Sequence, residues 1–329
     1  MQEGNKILSN KFGYRKMATP STLCCAILLF LFPLQFMATT TPSCPGDCEP
    51  NDADDNDRFH FAQNLEFLEA EFFLYGALGK GLDAFEPEFA KGGPPPIGGR
   101  RANLDYLTRR IIEEFGYQEI GHNREIVRRT GGIPRPLIDI SSENFAKLFD
   151  KAAGYNLDPP FDPYEDPIKY MLAVYAIPYV GLNGYVGTTP CLKKFASKQL
   201  VAGLLGVESG QDAATREWLY KKGDEKVEPY DITVVEFTNM ISRLRNELGK
   251  CGIKDEGLIV PKELGAENRT TSNVLSADPN SLSYPRTPQE ILRIVYSTGD
   301  EHRPGGFFPK GGNGRIAREY LYNDQLRGL

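Results

Sequence analysis

The chain has 329 residues, a formal net charge of −6, 40% hydrophobic and 25% charged residues. This is a globular composition, long enough for one large domain or two medium ones. The acidic balance lacks the basic footprint that nucleic-acid binding needs and argues against simple docking on anionic lipid.

The first residues differ from the rest. Lys6, Lys11, Arg15 and Lys16 precede an apolar run from Leu23 to Met37. At roughly 15 residues the run is short of the ~20 that a spanning helix needs. Pro33 and Gln35 interrupt its end, and small residues follow from Ala38 to Ser43. The pattern predicts a signal peptide over 1–41, with an uncleaved anchor as the alternative. The mature chain is then expected to carry no membrane span and to be secreted, into extracellular fluid, apoplast or cell wall, with the vacuole as another destination. Cys24 and Cys25 would leave with the signal, and Cys44, Cys48, Cys191 and Cys251 would remain. An even count in a secretory chain suggests disulfides, with three connectivities open; Cys44 with Cys48 and Cys191 with Cys251 is the expected one. Asn268-Arg269-Thr270 is a glycosylation sequon.

Residues 42–56, rich in Pro, Asp and Asn, read as a linker. A first helix is expected from Asp57 to about Leu78, with Phe61, Leu65, Leu68 and Phe72 on one apolar stripe. A Gly/Pro-rich loop leads to a second helix over about 101–130, stopped by Gly131, Gly132 and Pro134. The connection 131–163 is long and holds one short helix, capped by Ser141 or Ser142. A third helix over about 164–187 is apolar nearly all round, with a kink expected at Pro178. A fourth follows over about 190–222 and a fifth over about 231–249. Beyond 250 the chain is Gly-, Pro-, Asn- and Ser-rich, and only 287–298 looks helical. Two helices, a long crossover and two more predict an all-α, ferritin-like four-helix bundle over 57–250. One extra helix and an irregular C-terminal extension, 251–329, complete it.

A dinuclear carboxylate bundle takes one Glu from each of two helices and Glu-x-x-His from each of the other two. Glu119 and His122 form one such pair, on one helix face. The first helix offers Glu66 and Glu69, one turn apart and competing for a single role. The fourth helix has Glu208, but Gln211 stands where the second histidine would be, and an amide oxygen is the weaker ligand for a transition metal. The third helix brings no acid to its middle, which holds Pro178 and Asn183. The set is therefore short of one histidine and one carboxylate, a degenerate site whose metal, if held, would be iron or manganese. The tyrosines of the third helix, Tyr185 among them, read as core and interface rather than a redox relay. No residue is assigned as catalytic.

Several stretches resemble the plant desiccation-related proteins: DRFHFAQNLEFLEAEFFLYGALG (57–79), EEFGYQEIGHNREIVRRTGGIPRP (113–136), LLGVESGQDAATREWLY (204–220) and the tail from Ser281 to Leu321. The resemblance covers nearly the whole mature chain. It implies a secreted or wall-associated protein linked to dehydration stress, with no settled activity. The expectation is a non-catalytic protein. One alternative is a ferroxidase or manganese-catalase-like enzyme with a reduced site. Another is a structural or partner-binding wall protein, with cell-wall components or self-association as its contacts.

Overall fold

In the computed structural model, Cys44 and residues 48–327 are described, with side chains through Leu321; the expected signal segment lies outside the described residues. The first helix, α1 (Asp55–Leu78), starts two residues before Asp57. Asp54 is the N-cap and Asp57 sits at the third helical position, the two side chains closing a reciprocal capping box. Gly79 ends the helix at φ 72°, a left-handed cap. The second helix, α2 (Tyr106–Thr130), is capped by Asp105 rather than starting near 101, and Gly131 stops it at φ 84°. Ser141 caps α3 (Ser142–Ala153) within the crossover.

The expected kink at Pro178 is a full break. α4 (Pro167–Ala176) and α5 (Pro178–Thr188) are separate helices, because Pro178 has no N–H to continue the ladder. A short turn over Thr189–Cys191 leads to α6 (Phe195–Tyr220), and Thr233 with Glu236 opens α7 (Val234–Gly249) with a capping box. Thr287 and Glu290 do the same for α8 (Pro288–Val295). One more helix, α9 (Arg315–Arg327), was not expected from sequence. Its sequence is polar, and tertiary contacts hold it. Ile316 and Ala317 are buried, and Arg315 pairs with Asp52 and Asp57. Among the described residues there is no β-strand, and none of the helices is long and apolar enough to cross a membrane.

α1 is the axis of the molecule, packed against α2, α5 and α9. The expected single stripe understates it. Phe59, Phe67, Phe73 and Leu74 are buried along with Phe61, Leu65, Leu68 and Phe72. A helix apolar on nearly every side is a core helix, and any acid on it is forced inward too. α5 and α6 pair on the other side, and the long crossover joins α2 to α4.

The C-terminal extension closes over this bundle. Tyr296, Phe307 and Phe308 are buried in the main core. Arg216, from α6, is fully buried and donates to the carbonyls of Glu256, Gly257, Asn273 and Val274. Asn64 on α1 and Asn313 exchange two hydrogen bonds, at 2.9 and 2.7 Å. The disulfide differs from the expected pairing. Cys48 is bonded to Cys191, with Cα atoms 5.4 Å apart, so neither Cys44–Cys48 nor Cys191–Cys251 can form in this fold. The capping turn before α6 carries Cys191 back to the segment entering α1, and Asp55 fixes that meeting by accepting from the N–H groups of Lys193 and Lys194. Asn268 lies exposed in a short turn of the extension.

Candidate metal centre

Three helices of the bundle converge on one polar cluster. α1 supplies Glu66 and Glu69, α2 supplies Glu119 and His122, and α6 supplies Glu208 and Gln211. All six are buried, none more than 7% exposed. The i, i+3 spacing puts the members of each pair on one helix face, and the apolar environment of α1 leaves its acids no solvent to reach.

His122 is the hub. Its Nδ1 lies 3.0 Å from Glu66 Oε2, 3.2 Å from Glu119 Oε2 and 3.5 Å from Glu208 Oε1. One ligand-capable atom from each of Glu66, Glu119, His122 and Glu208 falls within 4.8 Å of all the others. Gln211 Nε2 donates to Glu119 Oε1 at 2.7 Å and to Gln118 Oε1 at 3.1 Å, so its amide orients the α2 carboxylate. Behind Glu119, Asn123 donates to its backbone carbonyl and ties it to Gln63 of α1.

Glu69 does not compete with Glu66; it stands beside it. The reason is on α5, where Gly181 faces the cluster. A Cβ there would lie 2.9 Å from Glu69 Oε1 and 3.9 Å from Glu208 Oε2. The third bundle helix brings no acid, as read from the sequence, but its glycine leaves the space that a second carboxylate from α1 fills. The cluster therefore holds four carboxylates. The missing histidine is not replaced.

Tyr185, also on α5, was read as core. It is buried and its hydroxyl donates a short hydrogen bond to Glu66 Oε1. Its spacing of four from Gly181 places it one turn along the same face, a signal legible once Gly181 is known to face the site. A small void adjoins the cluster, walled by Phe61, Leu65, Gly184, Tyr185 and, from α8, Ile291.

The electrostatics are unusual for a closed core. Burial pushes Glu69, Glu119 and Glu208 upward, and the neighbouring carboxylates add to it; Glu208 reaches about 7. Glu66 goes the other way. Burial opposes its charge, but the His122 imidazole and the donors around it hold the carboxyl below its usual value. Burial opposes the charge on His122 as well, and the Glu119 and Glu66 carboxylates overcome it, keeping the imidazole protonated. Tyr185 is raised by burial and by Glu66. Left to itself, the cluster balances four acids against one imidazolium by retaining protons on most of the acids.

Three buried polar atoms there have no hydrogen-bond partner: Glu69 Oε2, Glu208 Oε2 and Gln211 Oε1. All are oxygens, all lone-pair acceptors, and all belong to side chains aimed into the cluster. Orphaned buried acceptors are rare in folded proteins because each forfeits its hydration. Oxygen-rich donors with one imidazole suit hard to borderline cations such as manganese and iron.

The Ferritin-like domain family matches residues 54–221, half of the chain. The chain belongs to the ferritin-like family. Within it, the chain is 57% identical to a "Ferritin-like catalase Nec2" from Nesocodon mauritianus, over 310 residues that cover 93% of this chain and 100% of that protein. It is 54% identical to the "Desiccation-related protein PCC13-62" of Craterostigma plantagineum over 255 residues, 78% of this chain and 82% of that one. The desiccation-related branch of the ferritin-like proteins is therefore where the chain falls. No solved structure gives a significant match.

Proposed function

We propose that this ferritin-like protein holds a pair of iron or manganese ions in the carboxylate cluster and disproportionates hydrogen peroxide. The observation that carries the reading is the set of orphaned acceptors, Glu69 Oε2, Glu208 Oε2 and Gln211 Oε1, in a buried site with four acids and one imidazole. A cation would give those oxygens a partner and release the retained protons. Glu66, Glu69, Glu119, His122, Glu208 and the Gln211 amide oxygen are the groups that would hold it. The similarity to a ferritin-like catalase along nearly the whole chain supports the choice of peroxide.

A bound metal pair would supply the two-electron cycle in which one peroxide is reduced to two waters and the next is oxidised to dioxygen. The chain's own residues do the rest. Tyr185 fixes the Glu66 carboxylate and keeps a proton at its hydroxyl oxygen. Gln211 fixes Glu119. Phe61, Leu65 and Ile291 exclude bulk water from the void, which leaves room only for a small substrate.

A second reading, a non-catalytic role in desiccation protection, draws on the glutamine at 211 and on the desiccation-related relative. Metal analysis and an oxygen electrode separate the two. After loading with Mn(II) or Fe(II) and removal of loose ions, about two metals per chain with oxygen release from peroxide are expected. Substoichiometric metal and no oxygen would overturn the catalytic reading. We also place the chain in the secretory route, with a glycan at Asn268; the N-terminal basic-then-apolar pattern, the Cys48–Cys191 bond and the exposure of Asn268 support this.

A further inference from the structure

With Cys48 and Cys191 joined, Cys44 and Cys251 are the two cysteines left as thiols among the described residues. They lie far apart in the chain, yet the fold brings them close enough for their side chains to interact. Independent anchors produce the meeting. On one side, Cys48 is bonded to Cys191, Arg58 Nη2 donates to the Cys48 carbonyl at 2.9 Å, and Glu49 accepts from Gln289 of α8 at 3.2 Å. On the other, Lys250 caps α7 at φ 68° and turns the chain into Cys251. Arg293 of α8 donates to the Gly249 carbonyl at 3.2 Å, two residues before Cys251, and its charge acts on the Cys251 thiol. The segments that carry the two cysteines are thus each tied to the same short helix, α8, within a few residues of the thiol.

We propose that Cys44 and Cys251 form a second disulfide, which joins the segment before α1 to the start of the C-terminal extension. The chemistry assigns the order of events. Cys44 is exposed and Cys251 half-buried, so Cys44 is the thiol an oxidant reaches first. Burial, with Cys44 and Glu290 alongside, pushes the Cys251 thiol up to about 12, which makes it a poor first nucleophile. Cys44 thiolate attacks one sulfur of an oxidised dithiol carrier, the carrier's S–S bond breaks, and a mixed disulfide forms. Cys251 then loses its proton and attacks the Cys44 sulfur, displacing the second carrier thiolate. Two S–H bonds are lost and one S–S bond is made, while the carrier's disulfide takes up two electrons and two protons. The Cys48–Cys191 bond calls for the same oxidising power. Once closed, the new bond would clamp α8, the helix whose Ile291 walls the void beside the carboxylate cluster. It stands independently of the peroxide reading.

The test is peptide mapping of the full chain made through an oxidising secretory route. The protein is alkylated with iodoacetamide in denaturant without reductant, digested and analysed by mass spectrometry. A cross-linked pair containing Cys44 and Cys251 is expected beside the Cys48–Cys191 pair, with none of the four alkylated. In Cys251→Ser, Cys44 alone should become alkylated. Carbamidomethylated Cys44 and Cys251 in the wild-type chain, with Cys48–Cys191 intact, overturn the proposal, as does a cross-link of either cysteine to any other.

Discussion

Two buried polar clusters sit in this bundle, and they are built on opposite plans. Around Arg216 and Arg245, each guanidinium has several partners. Arg245 pairs with Asp255 at 2.5 Å and donates to the Tyr175 carbonyl at 2.6 Å. Arg216 takes four backbone carbonyls and the Tyr175 hydroxyl, and both guanidinium groups lie over the Tyr175 ring. Around His122, four acids share one imidazole and three oxygens go unpartnered. Both clusters touch α6, and Gln211 and Asp212 are adjacent in sequence yet serve different ones. A self-sufficient network has no need of a ligand. A cluster with excess acceptors is built for a cation that the polypeptide does not supply.

The comparison can be broken most sharply at its balanced end. Arg216→Met strands the carbonyls of the extension and removes one of the two cations that act on Asp212, and is expected to destabilise the fold by about 3–5 kcal/mol, read by chemical unfolding. A loss near zero would mean that the network is not what anchors the extension. The equivalent change in the other cluster should behave differently. Glu208→Gln removes an acid that holds its proton up to about 7 and whose Oε2 has no partner. In chelated protein its effect should stay within about 1 kcal/mol, while bound metal falls below stoichiometry by elemental analysis. If the variant unfolds like Arg216→Met, the cluster is structural.

Proton linkage gives a subtler separation. In the fold Glu69, Glu119, Glu208 and His122 all hold protons to higher pH than in the unfolded chain. The native state therefore binds more protons than the unfolded one above the ordinary carboxyl range, and chelated protein loses stability as pH rises from about 5 to 7. Glu66, held low, acts below that window. Metal displaces the retained protons, so affinity climbs over the same interval. Thermal midpoints of loaded and chelated protein should spread apart with rising pH, and parallel curves would contradict the exchange. A gain rather than a loss is expected of Gln211→His, which restores a second Glu-x-x-His. It should tighten metal binding about tenfold, roughly 1.4 kcal/mol, in a competition titration against a chelator. Weaker binding would show that the amide's bond to Glu119 matters more than a second imidazole.

Much of this was legible in the sequence because it is local. Capping boxes, glycine stops and the Pro178 interruption mark the helices, and the long crossover sets the bundle order. Glu119 and His122 are legible as a pair for the same reason. What stayed hidden depends on contacts between distant segments. Glu69 looks redundant until Gly181 is seen opposite it. Tyr185 looks like core until its hydroxyl is seen on Glu66. Helix α9 has too little apolar character to announce itself and exists through Asp52, Asp57 and α1. Disulfide connectivity was beyond reach, since it is decided by which turn returns to the N-terminal segment.

The paired hydrogen bonds between Asn64 and Asn313 span 249 residues. Ribosomes add roughly 5–20 residues per second, so Asn64 waits about 10–50 s after its own synthesis for that partner to emerge. Glu66 and Glu69 lie just beyond it on the same helix. The neighbours of their carboxylates, His122, Gly181, Tyr185 and Glu208, are all made before Asn313, so the whole cluster is in the nascent chain while this tie across α1 is still to come.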